Sequence, residues 1–151
     1  MKNDGTAAQL DFEERMASFG KDVVIHRITD TKEVSAMRAA RTGRRFSESM
    51  VTTKAQPADY FVVQKHIGGY YAEVKSTEKD RFAFSMLRPE QWSMGVRASV
   101  AHEAAYFVFV RHEPTERWWR IPFRYIREWD AQKKKSVSFQ DLSNAGLQWR
   151  V

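Results

Sequence analysis

Two acidic residues and one basic residue stand at a spacing that suits work on a phosphodiester. Pro57-Ala58-Asp59 is followed, fourteen positions after the aspartate, by Glu73-Val74-Lys75. Carboxylates brought to one end of a hairpin can share a hard divalent cation, because Mg²⁺ prefers carboxylate and water oxygens in octahedral geometry. Lys75 lies two residues from Glu73, and residues two apart on a strand share a face. An ammonium there eases the build-up of hydroxide or steadies a pentacovalent phosphorane. The chemistry implied is phosphodiester hydrolysis; a surface ion pair is the plain alternative. Asp59 joins the face of Glu73 and Lys75 only if the numbers of paired residues sum to an even value, as with Val63 opposite Glu73 and Phe61 opposite Lys75. That requires a three-residue connection, Ile67-Gly68-Gly69, or a bulge, since a two- or four-residue loop would turn Asp59 to the other side.

The elements that must hold these residues follow from hydrophobic patterning. Thr6 to Phe19 reads as a helix with Leu10, Phe12, Met16 and Phe19 inward and Gly20 as its stop. Val23 to Ile28 is a β-branched strand between turn-forming residues. Tyr60–Lys65 and Tyr70–Lys75 form a hairpin whose glycines supply positive φ. Arg81 to Phe84 alternates and is expected as a third strand of that meander. Pro89 opens a second helix with Trp92, Val96 and Val100 as its inner stripe. Ala105 to Val110 is a continuous apolar run of the kind buried on both faces of a sheet, and Arg117 to Ile121 is a further strand. The order predicts an α/β fold, a mixed central sheet with flanking helices. Residues 130–151, which include Lys133-Lys134-Lys135, read as a short C-terminal extension.

With 151 residues the chain is expected to be one domain, 1–151, with room for a real core. Lys and Arg number 25 against 19 Asp and Glu, a formal charge of +6, which favours a polyanionic partner and nucleic acid first. Much of that excess falls in a stretch poor in large apolar residues, 32–56, expected as a flexible basic loop. Its Arg38, Arg41, Arg44, Arg45 and Lys54 are candidate phosphate contacts. The chain has no cysteine, which removes disulfides, thiolate zinc sites, iron–sulfur clusters and cysteine nucleophiles together. Nothing resembles a signal peptide or a span of roughly 20 apolar residues, so a soluble, cytoplasmic protein with no membrane partner is expected.

Other chemistries find little support. His26, His66, His102 and His112 are scattered, with no pair at metal-binding spacing. Ser47, Ser49 and Ser76 lack the glycines of a nucleophile elbow, and Gly68-Gly69 lacks the Lys-Ser/Thr of a phosphate loop. Trp118-Trp119, between Arg117 and Arg120, could stack on splayed bases; packing in the core is the favoured reading.

Taken in order, these segments resemble the PD-(D/E)xK, restriction-endonuclease-like nuclease fold, and within it RecU-type and related phage Holliday-junction resolvases. The resemblance runs over roughly residues 5 to 125. Its parts are the opening helix from Gly5 through Phe12-Glu13-Glu14, the strand ending Arg27-Ile28-Thr29-Asp30 ahead of a basic stretch, Asp59 with Glu73-Val74-Lys75-Ser76, and Phe84-Ser85-Met86-Leu87-Arg88-Pro89-Glu90-Gln91 leading into a helix. The chain departs from the pattern in having Pro-Ala-Asp for Pro-Asp. It also has Gln9 four residues after the glycine, where some resolvases carry the helix-one glutamate.

The resemblance implies that Glu13, with Glu14 as alternative, joins Asp59, Glu73 and the carbonyl of Val74 in holding Mg²⁺, or Mn²⁺ as a substitute, with Gln9 as a polar neighbour. Lys75 would orient or activate the attacking water, and Gln91 would support the motif or position the scissile phosphate. The activity implied is metal-dependent, structure-selective endodeoxyribonuclease cleavage that resolves four-way DNA junctions by paired hydrolysis, carried out by a homodimer in recombination and repair. A non-catalytic DNA-binding protein on the same fold and a restriction- or repair-type endonuclease are the alternatives.

Overall fold

A computed structural model describes residues 5–28 and 56–150. Helix α1, Thr6–Ala17, starts after Gly5, whose φ of +78° is the left-handed conformation a glycine adopts without strain. It turns Ala8, Phe12 and Met16 inward, one residue per turn. Leu10, expected on that stripe, is 57% exposed, because two positions on a helix lie about 200° apart and Phe12 holds the inner side.

A short 3-10 turn, Gly20–Asp22, leads into β1, Val23–Arg27, which pairs antiparallel with β2, Tyr60–Gln64, and β2 pairs antiparallel with β3, Gly68–Thr77. The hairpin register runs from Tyr60 opposite Ala72 to Gln64 opposite Gly68, so paired numbers sum to an even value, the parity that sets Asp59 on the face of Glu73 and Lys75. The connection has three residues, but they are Lys65-His66-Ile67 rather than Ile67-Gly68-Gly69. His66, at φ 70°, and Gly68, at φ 96°, make the reversal, and extending this register would set Asp59 across from Glu73 itself.

Strand β4, Arg81–Ala83, does not continue the meander. It forms a separate two-stranded sheet with β7, Ser136–Ser138. A 3-10 turn, Phe84–Met86, precedes α2, Pro89–Ala101; β5, Tyr106–His112, then lies parallel to β3, and β6, Arg117–Pro122, antiparallel to β5. Helix α3, Phe123–Ala131, β7, α4, Phe139–Asn144, and β8, Gln148–Trp149, complete the order. The main sheet is β1-β2-β3-β5-β6-β8, mixed and six-stranded, and helices flank it, as the sequence predicts. Residues 130–151 are therefore misread as an extension: β7 secures β4, and β8 forms an edge of the sheet.

Both faces of the sheet carry a core. On one, Phe12 and Met16 of α1 pack with Tyr60, Val62, Tyr70, Val74, Phe109, Trp118 and Trp149. On the other, α2, α3 and α4 cover Tyr106, Val108, Val110, Trp119 and Ile121, with Phe123 and Ile126 of α3 in the same core. Trp118 and Trp119 are consecutive on a strand and so enter opposite cores. The Trp118 indole N–H donates to Asp11 at 2.7 Å and that of Trp119 to Ser143 at 3.0 Å, which fixes packing as their role.

In helix α2 the fully buried positions are Gln91, Gly95 and Ser99; Trp92 and Val96 of the expected stripe pack half-buried beside them, while Val100 is 67% exposed. Close approach explains the choice of small residues: a Cβ built on Gly95 would stand 2.4 Å from the Phe123 ring. Among the described residues no helix is long and apolar enough to cross a membrane.

Candidate active site

Alternation along β3 divides its residues between the two cores. Ala72 and Val74 face α1, and Glu73 and Lys75 take the opposite side, under the start of α2. Glu73 is 2% exposed, an unusual place for a carboxylate unless it is held. Its Oε1 accepts from the Gln91 amide at 2.7 Å and from the Lys75 ammonium at 2.9 Å. Its Oε2 is buried without a hydrogen-bond partner.

Asp59 arrives from the end of β2. Its carbonyl accepts from Ile28 N–H at 2.9 Å, and its Oδ2 accepts from Val74 N–H at 2.9 Å. Gln9 of α1 reaches its Oδ1 at 3.4 Å and is itself approached by Arg27 at 3.5 Å. Together these groups line an open pocket of about 290 Å³ formed by Gly5, Gln9, Asp59, Glu73, Val74, Lys75, Ser76 and Arg88.

The electrostatics follow from burial. Withdrawal from water pushes the Asp59 carboxyl above its ordinary value, against the Val74 N–H and the charges of Lys75, Arg88 and Arg27. Glu73 is pushed up to about 7, first by burial and next by the neighbouring Asp59 charge, with Lys75 opposing. Two desolvated carboxylates, Glu73 further raised by the charge of Asp59 and left with one oxygen unpaired, form a donor set that a hard divalent cation fits. A pair of perturbed acids beside a lysine in a cleft is also the arrangement expected of a catalytic centre.

The structure thus brings together Asp59, Glu73, Val74 and Lys75, with Gln91 directly behind Glu73. It does not bring Glu13 to them. The Glu13 carboxylate accepts the Tyr60 hydroxyl at 2.6 Å, and neither Glu13 nor Glu14 lines the pocket. The pocket lies at the Gly5 end of α1, so a residue one turn later sits about 5 Å too far along the axis, and Gln9 takes the place expected of Glu13. Among the described residues no three His, Asp or Glu side chains gather as a metal-holding group, and Asp59 and Glu73 are the acids that line the pocket. Gln91 is 1% exposed and cannot reach a substrate. Its Nε2 holds Glu73 and its Oε1 accepts from Arg88 N–H at 2.9 Å, which leaves it the supporting half of its expected role. Arg38, Arg41, Arg44, Arg45 and Lys54 lie outside the described residues.

Arg88 lines the pocket and was not among the expected site residues. Pro89 is the signal that could have found it: a proline at the first helical position makes Arg88 the N-cap, at the mouth rather than on the packed face.

A family model described as RecU: Recombination protein U matches residues 16–151. The match takes in Asp59, Glu73, Lys75, Arg88 and Gln91 and begins after Gly5, Gln9 and Glu13. A comparison with curated proteins finds no match.

Proposed function

The chain belongs to the RecU family, Holliday junction resolvases of the PD-(D/E)xK-like nuclease kind, and from that premise we propose that it cuts four-way DNA junctions by metal-dependent phosphodiester hydrolysis at the Asp59–Glu73–Lys75 pocket. The observation that supports this reading is the buried, unpartnered Oε2 of Glu73, on a carboxylate whose other oxygen is held by Gln91 and Lys75. Asp59, Glu73 and the Val74 carbonyl would hold Mg²⁺ or Mn²⁺. Bound there, the ion would supply an activated water and neutralise charge on the phosphate oxygens.

The side chains divide the remaining work. Gln91 fixes the Glu73 rotamer from behind, so the free oxygen keeps one direction. Asp59 is fixed by the Val74 N–H, which belongs to the same strand as Glu73, so the two acids move as one body. Lys75 carries its ammonium at the pocket wall, 2.9 Å from Glu73, where it orients the attacking water and steadies negative charge on phosphorus oxygens.

A junction has near two-fold symmetry and needs two nicks, which a homodimer with two such pockets matches. Arg38, Arg41, Arg44, Arg45 and Lys54 would contact phosphates around the branch without reading bases. Selectivity would come from branch shape and deformability.

The test is cleavage of a synthetic four-way junction beside a linear duplex in Mg²⁺. Symmetrical nicks near the branch, lost in Asp59→Asn and Lys75→Ala, are expected. Equal cutting of the duplex would instead favour a general or repair nuclease, and binding without cutting in Mg²⁺ or Mn²⁺ would favour a non-catalytic DNA-binding protein.

A further inference from the structure

We propose that Arg88 contacts the scissile phosphate directly; the inference rests on the reading of this pocket as a nuclease site and adds a substrate-binding residue to it. The argument starts from Gln91. A residue 1% exposed, with its amide spent on Glu73 and on the Arg88 N–H, has no group left for a phosphate. Three positions earlier on the same turn, Arg88 is exposed and lines the pocket with Asp59, Glu73 and Lys75.

The other cations near the acids already have side-chain partners. Lys75 is paired with Glu73 at 2.9 Å, and Arg27 is turned toward Gln9. Arg88 forms no ion pair among the described residues, yet its charge is near enough to Asp59 and Glu73 to favour the ionised form of both. A guanidinium presents a planar fork that meets two phosphate oxygens at once, which an ammonium cannot.

Placement follows from the same amide that supports the acids. Gln91 Nε2 holds Glu73 and Gln91 Oε1 holds the Arg88 backbone, so one side chain sets the distance between the carboxylate and the base of the arginine. The side chains form two opposed pairs, Asp59 and Glu73 against Lys75 and Arg88. A bound divalent cation would therefore leave the pocket net positive, which suits an anionic linkage.

The test separates contact from cutting. Binding of a synthetic four-way junction is measured in Ca²⁺ across a salt series for wild type, Arg88→Ala and Arg88→Lys. The alanine variant retains the backbone N–H that Gln91 uses, and the lysine variant retains the charge, so a loss confined to alanine is not a folding failure. Arg88→Ala is expected to weaken binding and to lower the slope of log K against log salt by about 0.9, one phosphate contact. Single-turnover cleavage in Mg²⁺ should fall by about a hundredfold or more. Replacing the mapped cut linkage by a neutral methylphosphonate should erase the binding difference between wild type and Arg88→Ala. An unchanged slope, or a difference that persists on the neutral linkage, overturns the proposal. Absence of cutting by the wild type overturns the nuclease reading instead, and the Ca²⁺ slope still decides whether Arg88 meets a phosphate.

Discussion

The Asp59 carboxylate accepts the Val74 backbone N–H at 2.9 Å, just past the last β2–β3 pair, Tyr60 with Ala72. A side chain thereby serves a donor for which the strand has run out, and the acid that would bind a cation also ends the hairpin. The two duties separate by substitution. Asp59→Asn keeps an oxygen for Val74 and removes a desolvated charge, so its melting temperature should equal or exceed that of wild type while cleavage is lost. Asp59→Ala leaves the N–H unpaired and should cost about 1–3 kcal/mol. Thermal melts of the two variants check this, and equal melting points would show that the hydrogen bond does not support the strand.

Glu13 and Glu73 should behave differently when neutralised. Glu13→Gln still offers an oxygen to the Tyr60 hydroxyl and leaves the pocket lining intact, so junction cleavage is expected within about threefold of wild type. Glu73→Gln should abolish it. Loss of activity in Glu13→Gln with normal stability would restore Glu13 to the site.

The pH dependence of stability carries the mark of Glu73. Its carboxyl titrates near 7 when folded against an ordinary 4.5, so the folded protein retains a proton that the unfolded chain releases. The contribution, about 3 kcal/mol, is therefore full below about pH 4.5 and is lost as pH rises through about 7. Without divalent metal, the stability difference between wild type and Glu73→Gln should shift against wild type from pH 5 to pH 8. Mn²⁺ added near pH 6.5 should release protons from wild type and not from Glu73→Gln, read by titration in weak buffer.

Gly95 sets how closely α2 lies on α3. With a Cβ at 2.4 Å from Phe123, Gly95→Ala must displace the helix that carries Gln91 and Arg88. A loss of about 1–3 kcal/mol is expected, with a fall in cleavage beyond what the unfolded fraction explains. Adding Phe123→Leu should recover part of both, as measured by melts and single-turnover rates.

The sequence reading succeeded where periodicity is local. Two-residue alternation put Glu73 and Lys75 on one face, and hairpin parity put Asp59 with them. It failed where a choice depends on what lies opposite. Of the stripe expected for α2, Trp92 and Val96 do pack at the margin of the core and only Val100 is turned out; the innermost positions are Gln91, Gly95 and Ser99, a face that hydrophobicity does not mark, with Gly95 set against Phe123. Arg81–Ala83 has the pattern of a meander strand, and its partner lies some fifty residues away at Ser136–Ser138. The choice between Gln9 and Glu13 turned on axial position along α1, which a motif on one helix does not encode.

Trp149 of β8 packs against Phe12 of α1, ring centroids 5.8 Å apart, and edge-on to Trp118 at 5.6 Å. On the ribosome, α1 therefore emerges long before part of the surface it rests on has been made. At about 5–20 residues per second the interval is on the order of ten seconds. Until Trp149 is released, the helix that brings Gln9 to Asp59 lacks one wall of its seat. A nascent chain would accordingly carry Asp59, Glu73 and Lys75 before the seat of the helix beside them is finished, and that seat would be completed only once β8 has been made.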